Sequence, residues 1–195
     1  MTRTVSRLFD SYSQAQRAVE ALEQAGFTSS EISLVSRYRD DGVLADEVSG
    51  AATGATAGAV AGGTAGALVA LGIIAIPGIG PLVAAGVIAT TLAGAATGGL
   101  AGGLLGALTD YGMNEDEAHV YSEGIRRGSS LVTVRTDDAR AAKAEQILDL
   151  QRPVDTRQRA DAYREAGWTR YDPASKGFTA EEIRRERERY LGRRD

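Results

Sequence analysis

His119 is the only histidine of the chain and stands among Glu115, Asp116 and Glu117. An imidazole beside carboxylates could ligate a metal or move a proton. A metal centre needs several convergent ligands, however, and a single histidine in an acidic helical run reads as a solvated helix position. Cysteine is absent, which excludes disulfides, thiolate metal sites and cysteine nucleophiles. Ser129 and Ser130 have no evident base. Gly78-Ile79-Gly80 has the spacing of a phosphate-cradling loop, but neither a GxGxxG-to-acid fingerprint nor a GK[ST] element accompanies it. Tyr111, Tyr121, Trp168 and Tyr171 read as packing or interface anchors, not as platforms for bases. No catalytic, cofactor-binding or metal-ligating constellation emerges, and the expected classes are structural or binding proteins without a cofactor.

The residue type with informative spacing is glycine. Val48 to Thr109 is a run of 62 residues without a charged side chain, and it holds 16 of the 24 glycines. Gly50, Gly54, Gly58, Gly62 and Gly66 recur at a step of four, as do Gly94, Gly98, Gly102 and Gly106. Four cross-pairs, 50/106, 54/102, 58/98 and 62/94, share the midpoint Gly78, which lies in Pro77-Gly78-Ile79-Gly80-Pro81, a chain-reversal signal. The pattern predicts a helical hairpin over 48–110 whose glycine stripes let helix backbones touch. Each arm of about 28 residues would be about 42 Å long, and roughly 20 apolar residues cross a bilayer. The greasy part lies near the turn, at Leu68–Ile76 and Leu82–Ile88; the base is mostly Gly, Ala and Thr. A four-residue step drifts about 40° per repeat around a helix, so one straight partner cannot cover the stripe and a homo-oligomer is expected.

These glycines need a domain to hold them. Thr4–Phe9 reads as a strand. Ser13, with Gln16 as its capping box, opens a helix with Ala15, Ala18, Val19 and Leu22 on its inner face, ending at Gly26. Glu31–Ser36 is a second strand. Beyond the uncharged run, Asn114 caps a helix that places Ala118, Tyr121, Ser122 and Ile125 on one face and ends at Gly128. Leu131–Arg135 is a third strand. Asp137-Asp138 starts a helix with Ala141, Ala144, Ile147 and Leu148 inward, and Pro153-Val154-Asp155 is a short fourth strand. The reading is α+β: a ferredoxin-like βαββαβ domain, with two helices on one face of its sheet and the glycine-zipper hairpin inserted between strands 2 and 3. The units are 1–47 and 111–157 for the two halves, 48–110 for the hairpin and 158–195 for a charged tail. That tail carries ten Lys/Arg and eight Asp/Glu. Thr179 with Glu182 caps its last helix, whose alternating signs read as solvated.

The net charge of −4 argues against a nucleic-acid partner. No signal peptide is visible at Met1–Val5, so the N-terminus is expected in the cytosol. The hairpin tip has no polar residue, and both flanking parts would therefore stay on the cytosolic side of an inner membrane.

The strand Val5–Phe9 with its Ala-rich helix, Ala25-Gly26-Phe27, Ile76-Pro77-Gly78-Ile79-Gly80-Pro81, the glycine zipper, and Glu117-Ala118 through Gly124 into Leu131-Val132-Thr133-Val134 together resemble the bacterial heat-induced or general stress protein family, also known as low-temperature-induced proteins. The resemblance covers about residues 3–150. It implies a stress-linked, membrane-associated protein and carries over no catalytic residue. The hairpin alone is similar to glycine-zipper two-span envelope proteins. The expected function is thus a non-enzymatic, membrane-associated stress protein whose hairpins assemble a homo-oligomer that organises or protects the membrane. The alternative is a soluble oligomeric sensory or small-ligand module using the hairpin as an oligomerisation arm, with the ligand unknown.

Overall fold

The computed structural model describes residues 2–37, 72–76, 80–85 and 103–191. In chain order these form β1 (Thr2–Phe9), α1 (Tyr12–Gln24), β2 (Ile32–Ser36), β3 (Gly72–Ile76), β4 (Gly80–Ala85), α2 (Gly103–Asp110), α3 (Glu115–Arg126), β5 (Ser130–Asp137), α4 (Asp138–Leu150), α5 (Thr156–Glu165) and α6 (Ala180–Leu191).

The architecture is α+β around an antiparallel sheet with strand order β1-β5-β2-β4-β3. β5 pairs antiparallel with β1 from Thr2↔Asp137 to Phe9↔Ser130, and with β2 from Ile32↔Val134 to Ser36↔Ser130. β1 and β2 therefore run parallel to each other with β5 between them. Side chains alternate across the pleat. Val5, Phe9, Ile32, Leu34, Val132 and Val134 join α1 and α4 in one core cluster. Leu8, Val35 and Leu131 point the other way, into a cluster with Leu104, Leu108, Tyr121 and Ile125 of α2 and α3. Helices thus cover both faces of the sheet, where one helical face was expected. This explains why every residue of β2 is buried.

Local chemistry sets the element ends. Ser11 Oγ accepts from the Gln14 N–H at 3.2 Å, so α1 is capped at Ser11 and not at Ser13. Tyr12 is itself buried, and the apolar face of the helix begins there. Asn114 and Asp137 cap α3 and α4 as expected from their short acceptor side chains. At the expected fourth strand no strand is assigned, but the Val154 N–H donates to the Leu8 carbonyl at 2.7 Å on the outer side of β1.

The helical hairpin is corrected where the structure describes it. Residues 72–76 and 80–85 are strands, not helical arms, and pair from Gly72↔Ala84 to Ile76↔Gly80. β4 then pairs with β2 over Leu34↔Ala85, Val35↔Ala84 and Ser36↔Val83. The physical reason lies in Ile73, Ile74, Ile76 and Val83. β-branched side chains are stiff in a helix and suit a pleated sheet, and β2 offers a rim on which to pair. Pro81 lies past the last pair with β2, near the start of its strand, where proline is tolerated.

Candidate assembly segment and the buried charge network

Of the residues expected to pack helices, Gly106 lies in α2, and of those expected to form the hairpin turn, Gly80 and Pro81 lie in β4. Gly50, Gly54, Gly58, Gly62, Gly66, Gly94, Gly98 and Gly102 fall outside the described residues, as do Pro77, Gly78 and Ile79. The structure places the downstream end of the uncharged run against the domain. Upstream, the run follows β2. Downstream it ends in α2, where Leu104 and Leu108 are fully buried against α3 and the sheet. Thr109 Oγ1 bonds back to the Gly106 carbonyl at 2.9 Å, and Thr4 Oγ1 donates to the Tyr111 carbonyl at 2.7 Å, which ties the end of the run to β1. Within it, β3 is the outermost strand of the sheet and, among the described residues, pairs only with β4.

The C-terminal segment differs from the solvated tail that its charges imply. α5 and α6 dock on α3: Ile183 and Tyr163 are fully buried, and Val120, Ala160 and Tyr163 form a core of their own with Trp168 and Tyr190 against it. Gly128, at φ +94°, ends α3 in the left-handed region. A Cβ there would meet Ile183 Cγ2 at 2.6 Å, so its lack of a side chain also admits α6. The Phe178 N–H donates to the Arg126 carbonyl at 3.1 Å, and Arg37 of the β2 end donates to the Phe178 carbonyl. Thr179 and Glu182 form the expected capping box, with the Thr179 N–H donating to Glu182 Oε2 at 2.7 Å.

Charge is buried where these helices meet. Glu123 accepts from Arg126 Nη2 and Arg127 Nε at 2.6 Å each, and Arg127 Nη1 donates to Glu186 Oε1 at 2.9 Å. The Arg127 guanidinium also lies 4.3 Å from the centroid of the Tyr163 ring. Burial disfavours the charge on Arg127, yet its bonds to Glu123 and Glu186 outweigh that and hold its pKa above the ordinary value. Arg159 donates to Asp10 Oδ1 at 2.7 Å and stacks 3.7 Å from the Tyr190 ring centroid, fixing α5 to the turn after β1. Burial pushes the Tyr121 and Tyr171 phenols up to about 12, helped by Glu117 at the first and Glu123 at the second. Such fully partnered ions specify one docking geometry; they do not offer an open reactive group.

His119 lies in a cleft of about 370 Å³ between α3, α5 and the loop after α5, lined also by Glu115, Asp116, Arg164, Trp168 and Arg170. It is 7% exposed, in place of the solvated position expected. Among the described residues no group of three or more His, Asp or Glu side chains is arranged to hold a metal ion. Nor is any described helix long and apolar enough to cross a membrane. The sequence reading missed the ion network because its partners are far apart in the chain. The local signal was present in α5 and α6: Ala160 and Tyr163, then Ile183 and Tyr190, recur at helical spacing in an otherwise charged segment.

The described residues form an α+β domain with helices on both faces of its sheet. Residues 4–72 match the family model of the heat induced stress protein YflT domain. The match spans β1, α1, β2 and the chain up to the first residue of β3. It supports the bacterial heat-induced or general stress protein family, and with it a role in stress response. Neither a curated protein nor a solved structure matches the chain.

Proposed function

We propose that this chain is a non-enzymatic stress protein that assembles copies of itself at the cytosolic face of the inner membrane through its uncharged run, and so organises or protects that membrane. The observation that carries this is the run of 62 uncharged residues flanked in the sequence by charged segments on both sides. A domain of this size has little apolar surface left with which to cover so long a segment, and lipid or a second copy supplies the missing cover. We further propose that the domain is of the ferredoxin-like kind. β1, α1 and β2 with β5 between them, followed by α4 and the Val154 bond to β1, support a split βαβ pair in which the fourth strand is vestigial.

One observation favours the soluble alternative. β4 is hydrogen-bonded to β2, which ties the greasiest part of the run to the sheet of the domain and not to a pair of spanning helices. In that case the run is an oligomerisation arm and the protein a soluble assembly.

Fractionation of the native protein, followed by sizing with and without detergent, separates the two. Membrane-bound oligomers released only by detergent support the first reading, and detergent-free oligomers the second. Monomers in plain buffer overturn both. Gly58→Leu or Gly98→Leu should weaken assembly more than Gly42→Leu; equal assembly of all three removes the glycine stripe from the account.

A further inference from the structure

We propose that His119 is a proton-operated latch that holds the loop between α5 and α6 onto α3. His119 Nε2 lies 3.2 Å from Arg170 Nη2. A guanidinium has donors and no acceptor, so Nε2 must be the acceptor and the docked imidazole must be neutral, with its proton on Nδ1. That Nδ1 is buried and meets no partner among the described residues. On the same side, Glu115 Oε1 lies 3.9 Å from Nε2, one helical turn back on α3.

A proton arriving at Nε2 takes the lone pair that Arg170 uses. Imidazolium and guanidinium then face each other as two donors of like charge, and Arg170 must leave. The other charged groups around the cleft decide where the new N–H goes. Glu115 and Asp116 on α3 attract it, Arg164 on α5 repels it, and Glu123 is already taken by Arg126 and Arg127. The proton thus exchanges a bond to the loop for a bond within α3: the helix keeps its partner and the loop loses its own. The neutral partner is required only when the loop is docked. Docking therefore needs the neutral ring and is lost when the ring takes up a proton.

The loop begins at Trp168, whose ring lies 5.8 Å from that of Tyr163, edge to face, and whose Nε1 meets no partner among the described residues. Trp168 is the only tryptophan and His119 the only histidine of the chain. Reporter and switch are therefore both unique and share one cleft.

The test uses the full chain. Trp168 emission and amide exchange of residues 168–179 are followed from pH 8 to pH 5, with the histidine ring signal observed by NMR. The expected result is a single transition of Trp168 that tracks the ring titration, with loop exchange faster by about tenfold or more after correction for intrinsic chemistry. His119→Gln, which keeps an acceptor for Arg170 and has no titrating proton, should remain docked at both ends of the range. The latch is overturned if the His119 ring titrates while Trp168 and the loop amides do not respond, which needs no variant, or if the same transition persists in His119→Gln.

Discussion

Arg127, the C-cap residue of α3, donates to Glu186 in the middle of α6 at 2.9 Å, across 59 residues of sequence, with both side chains almost wholly buried. It is the point at which a charged C-terminal segment becomes part of the fold. Removing one partner of such a pair strands a buried charge, at a cost of about 3 kcal/mol. Arg127 keeps Glu123, which places the effect at the lower end of the range for buried pairs. Glu186→Ala should therefore lower the urea midpoint clearly and open the amides of α6. Glu181→Ala, which removes an exposed pair with Arg185, should leave the midpoint where it was. Equal effects from the two variants would show that the buried pair does not hold the helix.

Ala84 tests the sheet order. It pairs with Val35 of β2 on one side and with Gly72 of β3 on the other. A proline there removes a ladder hydrogen bond whichever way its nitrogen faces. Ala84→Pro should speed amide exchange across Leu34–Ser36 and leave α4 protected. Unchanged exchange in β2 would mean that the hairpin does not lie on that rim.

The buried phenols set an alkaline limit. Tyr121 and Tyr171 are held at about 12 by burial, with acidic neighbours adding to it, and Tyr163 is pushed upward by its burial as well. An unfolded tyrosine titrates near ~10. The folded values lie above the unfolded one, so this stability is fully present below pH ~10 and is lost as pH rises toward the folded values. Tyrosinate absorbance and far-UV circular dichroism followed together should show part of the tyrosine titration coinciding with loss of structure. Ionisation of all seven tyrosines with the fold intact would contradict their burial.

Local signals carried much of this fold. Asn114, Asp137 and the Thr179–Glu182 box cap helices because a short acceptor beside an apolar run has few other uses. The start of α1 was misread by two residues because Ser13 and Gln16 mimic a capping box while Tyr12 already belongs to the buried face. Over 72–85 two patterns compete. The glycine steps of four on either side, at 50–66 and 94–106, carry a helical reading inward, while Ile73, Ile74, Ile76 and Val83 favour strand; pairing with β2 decides for strand, and tertiary pairing leaves no mark in a local window. Long-range ion pairs such as Arg159 with Asp10, 149 residues apart, were illegible for the same reason. In α6 the alternating charges hid how few apolar residues a docked helix needs, since Ile183 alone fills the space above Gly128.

The two rims of the sheet are chemically unlike. At β1, Val154 already takes the Leu8 carbonyl, and Arg3 and Arg7 pair with Glu145 and Asp149 of α4, so a foreign strand finds charge and an occupied acceptor. At β3 the backbone ladder runs through five residues without a charge. Among the described residues the sheet can thus be lengthened only at β3, and a sheet with one open margin does not grow into a fibre. Two molecules meeting margin to margin about a two-fold axis would exhaust the available bonds, and growth by strand addition would end at a pair.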